Sequence, residues 1–385
     1  MTKELIILTI SCLLAFGCRR EHAAKNIDTF TIDPSDTSET GFSKYYELEK
    51  YIKLESSDSA LINDIRKIVF THDKIFILTW GDAQVMIFNS DGSFLNKISR
   101  QGGGPNEYLS VVDMSVSSNG DTIGLYDKFL KKIIYYDNNG NHLKTVDLNI
   151  DLESFSSARN GNIIGYSFLN HNSPLNDTIY QLWYFDKQGK ILAGKFPVSN
   201  NLLGNSVGFA STFNLSSSGL YFFPFTENMI YKITEDPFEV TPIIRLNFKD
   251  RTMPQDLLLM SRKEMNNAFN YAFIMVGGFV GRKNLLFNIY SYNQFKNRIS
   301  ILVVINQSNK KFSLIPNKNL YDEINEIPIK ANMQNLYITH DSYIAIVDAI
   351  RLQNHEFKNM QSIGYRLKQN SQVTDNPILL IYKEK

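Results

Sequence analysis

The feature that most constrains this chain is a hairpin that returns at nearly constant spacing. Three segments align without gaps: Ile87-Phe88-Asn89-Ser90-Asp91-Gly92-Ser93-Phe94-Leu95, Tyr135-Tyr136-Asp137-Asn138-Asn139-Gly140-Asn141-His142-Leu143 and Tyr184-Phe185-Asp186-Lys187-Gln188-Gly189-Lys190-Ile191-Leu192. Their glycines lie 48 and 49 residues apart. Each segment is an apolar strand, a polar turn with Gly where positive φ costs little, and a second apolar strand, which predicts a β-hairpin. A further strand pair precedes the first two, at 64–70 with 74–78 and at 113–116 with 122–126. Four strands repeated every 45 to 50 residues or so is the unit of a β-propeller blade.

Residues 212–215, 219–223 and 229–233 supply a fourth unit, and 284–292 with 298–305 a fifth. The sixth has only three C-terminal strands, at 335–338, 342–347 and 377–382. Residues 45–54, ahead of the first full unit, are the natural partner of Ile378-Leu379-Leu380-Ile381. Pairing the termini in this way closes a ring and removes sheet edges. The predicted fold is therefore all-β: a six-bladed β-propeller over 44–385, closed by N-terminal strand pairing with the C-terminal blade. Residues 254–272 break the β pattern. Pro254, followed by Leu257, Leu258, Met260, Met265 and Phe269, suits one inserted helix between blades four and five with Pro in its first turn.

The 385 residues allow two or three domains or one large all-β unit. Hydrophobic residues at 43% and charged residues at 21% describe a globular body. Lys plus Arg at 40 against Asp plus Glu at 39 leaves a net charge of +1, which lacks the electrostatic footprint of a nucleic-acid binder. The 26 Phe and 20 Tyr favour strands.

The N-terminus reads as an address. Met1-Thr2-Lys3-Glu4 leads into an apolar run from Leu5 to Phe16, too short to span a bilayer and matching a secretory signal. Cys18 after Ala15-Phe16-Gly17 looks like a bacterial lipobox, although Ala15 stands where leucine is usual, and an ordinary cleaved signal is the alternative. The expected organisation is a signal peptide over 1–17, lipid on Cys18, and a flexible polar tether over 18–43. The only other cysteine, Cys12, lies inside the signal, so no internal disulfide is expected in the exported protein. No acidic run follows Cys18, which favours an outer-membrane anchor facing the periplasm.

The chain resembles a family of bacterial envelope lipoproteins with a six-bladed, NHL-like β-propeller. The resemblance rests on Arg100-Gln101-Gly102-Gly103-Gly104-Pro105-Asn106-Glu107-Tyr108, on Tyr51-Ile52-Lys53-Leu54-Glu55 leading into Leu61-Ile62-Asn63-Asp64-Ile65, on Met229-Ile230-Tyr231-Lys232-Ile233, and on Asn376-Pro377-Ile378-Leu379-Leu380. It departs at Asn106, where glycine is common, and at Glu227-Asn228. It implies architecture and location rather than an activity.

The glycines of 102–104 do not make a phosphate loop, because strand rather than a helix N-terminus follows them. They suit a tight crossing between blades pinned by Pro105, Glu107 and Tyr108. A competing reading makes Arg100, Gln101, Asn106, Glu107 and Tyr108 a candidate binding rim. The histidines, His22, His72, His142, His171, His340 and His355, have no ligand spacing, and no catalytic site is assigned. Asp64, Asp113 and Glu153 near the starts of inner strands could hold calcium at the axis, but such acids more often bond strand ends. The Asp-x-x-Gly turns lack the ligand pattern of an EF-hand and read as turn chemistry. The aromatic pairs suit packing between blades better than sugar binding.

These readings point to a non-enzymatic binding or scaffolding lipoprotein of the cell envelope. It would hold a membrane through its lipid and offer a face to a protein, peptide or glycan, with no nucleic acid and no cofactor. The rival is a metal-dependent propeller hydrolase or lyase of the lactonase type. A third reading is a sensor whose helix near Pro254 docks a membrane partner.

Overall fold

The computed structural model describes residues 27–37, 41–158, 160–168, 170, 172, 175, 178–198, 212–216, 218–224, 227–252, 271–292, 298–329, 337–339 and 342–385. Six sheets built from four antiparallel strands each form a six-bladed β-propeller, the strand named first for each blade below being its innermost. Blade one is Ile65–Phe70, Lys74–Thr79, Val85–Asn89 and Phe94–Ile98. Blade two is Val111–Val116, Ile123–Asp127, Lys132–Tyr136 and His142–Asp147. Blade three is Ser154–Ser157, Ile163–Tyr166, Ile179–Phe185 and Ile191–Val198. Blade four is Phe213–Ser216, Gly219–Phe222, Met229–Glu235 and Phe238–Asn247, and blade five Phe273–Val280, Asn284–Tyr292, Arg298–Asn306 and Phe312–Pro316. Blade six takes Tyr337–Thr339, Ser342–Val347 and Ile378–Glu384 from the C-terminal part and Tyr46–Lys53 from the N-terminal part.

The closure expected from the sequence is present, with Ile52 opposite Leu379 and Tyr51 opposite Leu380. Apolar side chains of blade six, Ile344, Ile346, Leu379 and Ile381, pack with Ile68, Ile75, Ile77 and Phe88 of blade one. Each such buried side chain contributes about 1.5–3 kcal/mol, so the two ends of the chain are held by burial as well as by the ladder. Asn376, part of the Asn-Pro signature, sits buried beneath this joint. Its Nδ2 donates to the carbonyls of Glu55 and Ala60 at 2.6 and 2.8 Å, and its Oδ1 accepts the Ile62 N–H at 2.8 Å.

The repeated glycines are contacts between blades as well as turns. Gly92, Gly140 and Gly189 all have positive φ, at 95°, 77° and 91°. A Cβ on Gly92 would lie 2.2 Å from the carbonyl oxygen of Lys53, and one on Gly189 2.2 Å from that of Asp147, each at the end of the preceding blade's outer strand. Aspartates fold the same hairpins: Asp137 Oδ1 accepts from the N–H groups of Asn139 and Asn141, and Asp186 Oδ1 from those of Gln188 and Lys190. Turn chemistry therefore explains these Asp-x-x-Gly segments.

Two features depart from the sequence reading. Asp28–Thr31, assigned to a flexible tether, is a strand running parallel to Ile244–Asn247 on the outer edge of blade four. Its Phe30 and Ile32 are buried in the core shared by blades four and five, which offsets the entropy of ordering the segment. Two short helices, Ala349–Gln353 and Ile363–Gln369, lie between the second and third strands of blade six. The inserted helix expected at 254–272 lies, but for its last two residues, outside the described residues.

Candidate functional site

Inner strands of successive blades are tied to one another by polar groups around the axis. Lys67 and Asp113 occupy matching places in blades one and two, one residue past a register shift in each inner strand. Such bulges re-aim neighbouring side chains. Lys67 Nζ donates to Asp113 Oδ1 at 2.8 Å, and Asp113 Oδ2 accepts the Phe155 N–H of blade three at 2.8 Å. Ser115 and Ser157 link blades two and three at 3.0 Å, Ser154 and Thr212 link blades three and four at 3.0 Å, and Asn214 takes the Val280 N–H of blade five at 3.3 Å.

A second ion pair lies nearby, where Lys128 Nζ donates to the buried carboxylate of Glu153 at 2.5 Å and sits 3.7 Å from Asp151. Asn170 donates to the same Glu153 oxygen at 3.0 Å. Burial raises the Asp151 carboxyl above its ordinary range, Lys128 opposes that shift, and Glu153 adds to it. The Arg66 guanidinium stacks 4.0 Å over the Trp80 ring. Burial lowers its pKa, and Asp113 and Glu153 oppose the shift. Asp64, Asp113 and Glu153, the acids expected to be able to hold calcium, thus make strand-end bonds. Asp64 accepts the Ile65 N–H at 2.9 Å, and the other two hold lysines. Among the described residues no group of three or more His, Cys, Asp or Glu side chains has metal-site geometry.

The loop of 100–108 joins the outer strand of blade one to the inner strand of blade two, on the face where inner strands begin. Its members divide into two sets. Tyr108 is fully buried: its hydroxyl donates to the Ala83 carbonyl at 2.9 Å and accepts the Arg100 N–H at 3.0 Å. Glu107 turns back into the loop and accepts the Gly104 N–H at 2.7 Å, so close that a Cβ on Gly102 would lie 2.2 Å from its carboxylate. Tyr108 is therefore not a rim residue, and Glu107 works within the loop. Arg100, Gln101 and Asn106 stay exposed. Cys18 lies outside the described residues.

Sequence reasoning missed the side chains beside this loop. Asp127, fully buried, accepts the Leu109 N–H at 2.5 Å through one oxygen and the Leu130 N–H at 2.9 Å through the other. It thereby fixes the turn that carries Phe129, which is 76% exposed and lies on the same face. The Lys67–Asp113 match falls off the 48-residue glycine register of the repeat, which sets Lys67 against Ser115, so the alignment did not show it. Phe129 and the Arg66–Trp80 stack had no motif to announce them.

A search of curated proteins finds no match. Among solved structures, a "putative exported protein" of Bacteroides fragilis is similar at a TM-score of 0.72 and 20% identity, over 93% of this chain and 99% of that one. A member of the DUF4221 family from Bacteroides vulgatus is similar at 0.53 and 10% identity, over 88% and 98%. At these identities the likeness is one of fold. Residues 27–383 match the model of a family described as a domain of unknown function, DUF4934, and with nearly its whole length so matched the chain belongs to that family.

Proposed function

We propose that this protein is an exported, lipid-anchored, non-enzymatic propeller of the NHL-like kind, which binds a partner at the face where its inner strands begin. The observation that carries the reading is the state of the axial acids. Asp113 and Glu153 hold lysines and amide groups rather than standing open to a substrate or an ion. What this face offers is an exposed aromatic, Phe129, beside Leu109, Arg100, Gln101 and Asn106. Exposed aromatics and arginines are the residue types that anchor protein interfaces. Export is supported by the signal-like run before Cys18 and by the description of the Bacteroides fragilis neighbour. The lipobox-like Ala15-Phe16-Gly17-Cys18 supports anchoring in the cell envelope, at the outer membrane facing the periplasm.

The test is a thermal melt of the purified protein with calcium, with EDTA, and with a panel of envelope peptides and glycans. A ligand at a hundred times its Kd adds about 2.7 kcal/mol to stability, which such a melt resolves. A rise with one peptide or glycan class, indifferent to EDTA and lost in Phe129→Ala, is the expected result. A calcium-dependent rise reversed by EDTA would transfer the reading to the metal-dependent hydrolase.

A further inference from the structure

The turns joining third to fourth strands occupy equivalent places in blades one to five, and their charge is not uniform. Blade one presents Asp91, blade two Asp137, blade three Asp186 with Lys187 and Lys190 beside it, and blade four Glu235 and Asp236. Blade five instead presents Lys310 and Lys311. The neighbouring turn between its first and second strands presents Arg282 and Lys283. All four are exposed, and the two turns are bound together, with the Gln307 N–H on the Lys283 carbonyl at 2.8 Å and Gln307 Nε2 on the Gly281 carbonyl at 2.8 Å. The acids at this corner are engaged. Glu384 accepts the N–H groups of Arg282, Lys283 and Asn284, and Asp28 pairs with Lys310 at 2.6 Å.

The pair with Asp28 also places the N-terminal segment at this corner. Asp28 lies ten residues after Cys18. Ten residues reach at most about 33–36 Å when fully extended. The nine-residue strands Asn284–Tyr292 and Arg298–Asn306 separate the corner from the opposite face of blade five. At about 3.3 Å per residue that height is close to 30 Å, nearly the whole reach of the segment.

We infer that the basic corner formed by Arg282, Lys283, Lys310 and Lys311 is a docking surface for anionic lipid headgroups, and that it holds the disc with blade five toward the membrane. The inference rests on the proposed lipid anchor. One acyl-bearing residue binds a membrane more firmly when a basic patch adds a second, electrostatic attachment. The acidic turns of blades one, two and four would be repelled by the same surface, so contact through blade five tilts them away. The exposed face bearing Phe129 and the 100–108 loop is then left to the aqueous side.

The experiment uses the lipidated protein, purified from membranes and reconstituted in vesicles of phosphatidylethanolamine with phosphatidylglycerol, or of phosphatidylcholine alone. One fluorophore is placed at Ser308→Cys or at Gln101→Cys, and headgroup-attached quenchers report its distance from the membrane. On anionic vesicles the Ser308 probe should be quenched about threefold more than the Gln101 probe. The difference should collapse in phosphatidylcholine, in about 0.5 M salt, and in the Arg282→Glu, Lys283→Glu, Lys311→Glu variant. Equal quenching of the two probes, or stronger quenching at Gln101, overturns the docking surface. Mass spectrometry of the Cys18 peptide tests the anchor separately. Were it unacylated, flotation of that same chain decides: salt-sensitive binding to anionic vesicles that the triple variant loses keeps the surface, and no binding removes it.

Discussion

The carboxylate of Asp113 accepts the backbone N–H of Phe155 at 2.8 Å across the boundary between blades two and three, while its other oxygen holds Lys67 of blade one. One buried side chain thus fastens three consecutive inner strands. The arrangement repeats what hydrogen-bonded strands do within a blade, at a boundary where strands of different blades face each other without a ladder.

Asp113→Ala should therefore cost about 3 kcal/mol, because it leaves a largely buried lysine and an inner-strand amide without their partner. Asp113→Asn keeps an acceptor for Phe155 and should cost less. Urea denaturation followed by tyrosine and tryptophan fluorescence measures both. A midpoint for Asp113→Ala equal to that of the parent would show that the inter-blade bond is dispensable.

The repeated glycines make a graded series. Gly140→Ala meets nothing closer than 3.8 Å and pays only for its positive φ, about 1–2 kcal/mol. Gly92→Ala and Gly189→Ala add a methyl group 2.2 Å from a backbone carbonyl, which cannot swing away as a side chain would. Both should be distinctly less stable than Gly140→Ala in the same denaturation experiment. Three equal losses would mean that turn conformation alone explains the glycines.

That series also shows what the chain makes legible. Gly92, Gly140 and Gly189 announce the blade because local turn chemistry and the blade boundary demand glycine at one place, and the C-terminal run Ile378-Leu379-Leu380-Ile381 announces its need for an outside partner. The outer strand Phe238–Asn247 was hidden by Pro242, which is tolerated because this strand lies toward the sheet edge. Asp28–Thr31 was hidden by its polar residues: only Phe30 and Ile32 alternate inward, too short a pattern to outweigh the composition around it. The face around Phe129 depends on Asp127, a buried acid that binds a loop 17 and 18 residues earlier. No local pattern records that bond.

Ring closure has its own buried acid. Asp322 accepts from Ser43 Oγ at 3.1 Å and from the Tyr382 hydroxyl at 2.8 Å, joining the residues just before the N-terminal strand of blade six to its C-terminal strand. Asp322→Ala should cost about 2–4 kcal/mol by leaving both hydroxyls and the turn amides of Ile324 and Asn325 without their acceptor. Limited proteolysis should then cut the N-terminal segment before the rest of the disc. Unchanged protease resistance would argue that apolar burial closes the ring unaided.

Asp151 gives a pH dependence of known sign. Its carboxyl is raised by burial, so between its ordinary pKa and its folded one the folded chain binds more protons than the unfolded chain. Stability attributable to this group therefore falls as pH rises through that window, and the penalty is fully present at neutral pH. Asp151→Asn removes the penalty while Lys128 keeps Glu153. It should raise the melting temperature at pH 7 and leave it nearly unchanged near pH 3, where the carboxyl is protonated in both states. A variant less stable than the parent at pH 7 would show that the Lys128 contact outweighs desolvation.

Phe129 separates function from stability. At 76% exposure its ring contributes little to the folded state, and Phe129→Ala should shift the urea midpoint by no more than about 0.5 kcal/mol in equivalent stability. Its backbone place is held by Asp127 through Leu130, not by the ring, so the turn should persist in the variant. If this face binds the partner, the same substitution should weaken recovery of that partner from envelope extracts by tenfold or so, as loss of one interface anchor does. Leu95→Ser, on the outer strand of blade one and 45% exposed, is the matched control and should leave recovery intact. Equal recovery by Phe129→Ala, Leu95→Ser and the parent would move the binding surface off this face.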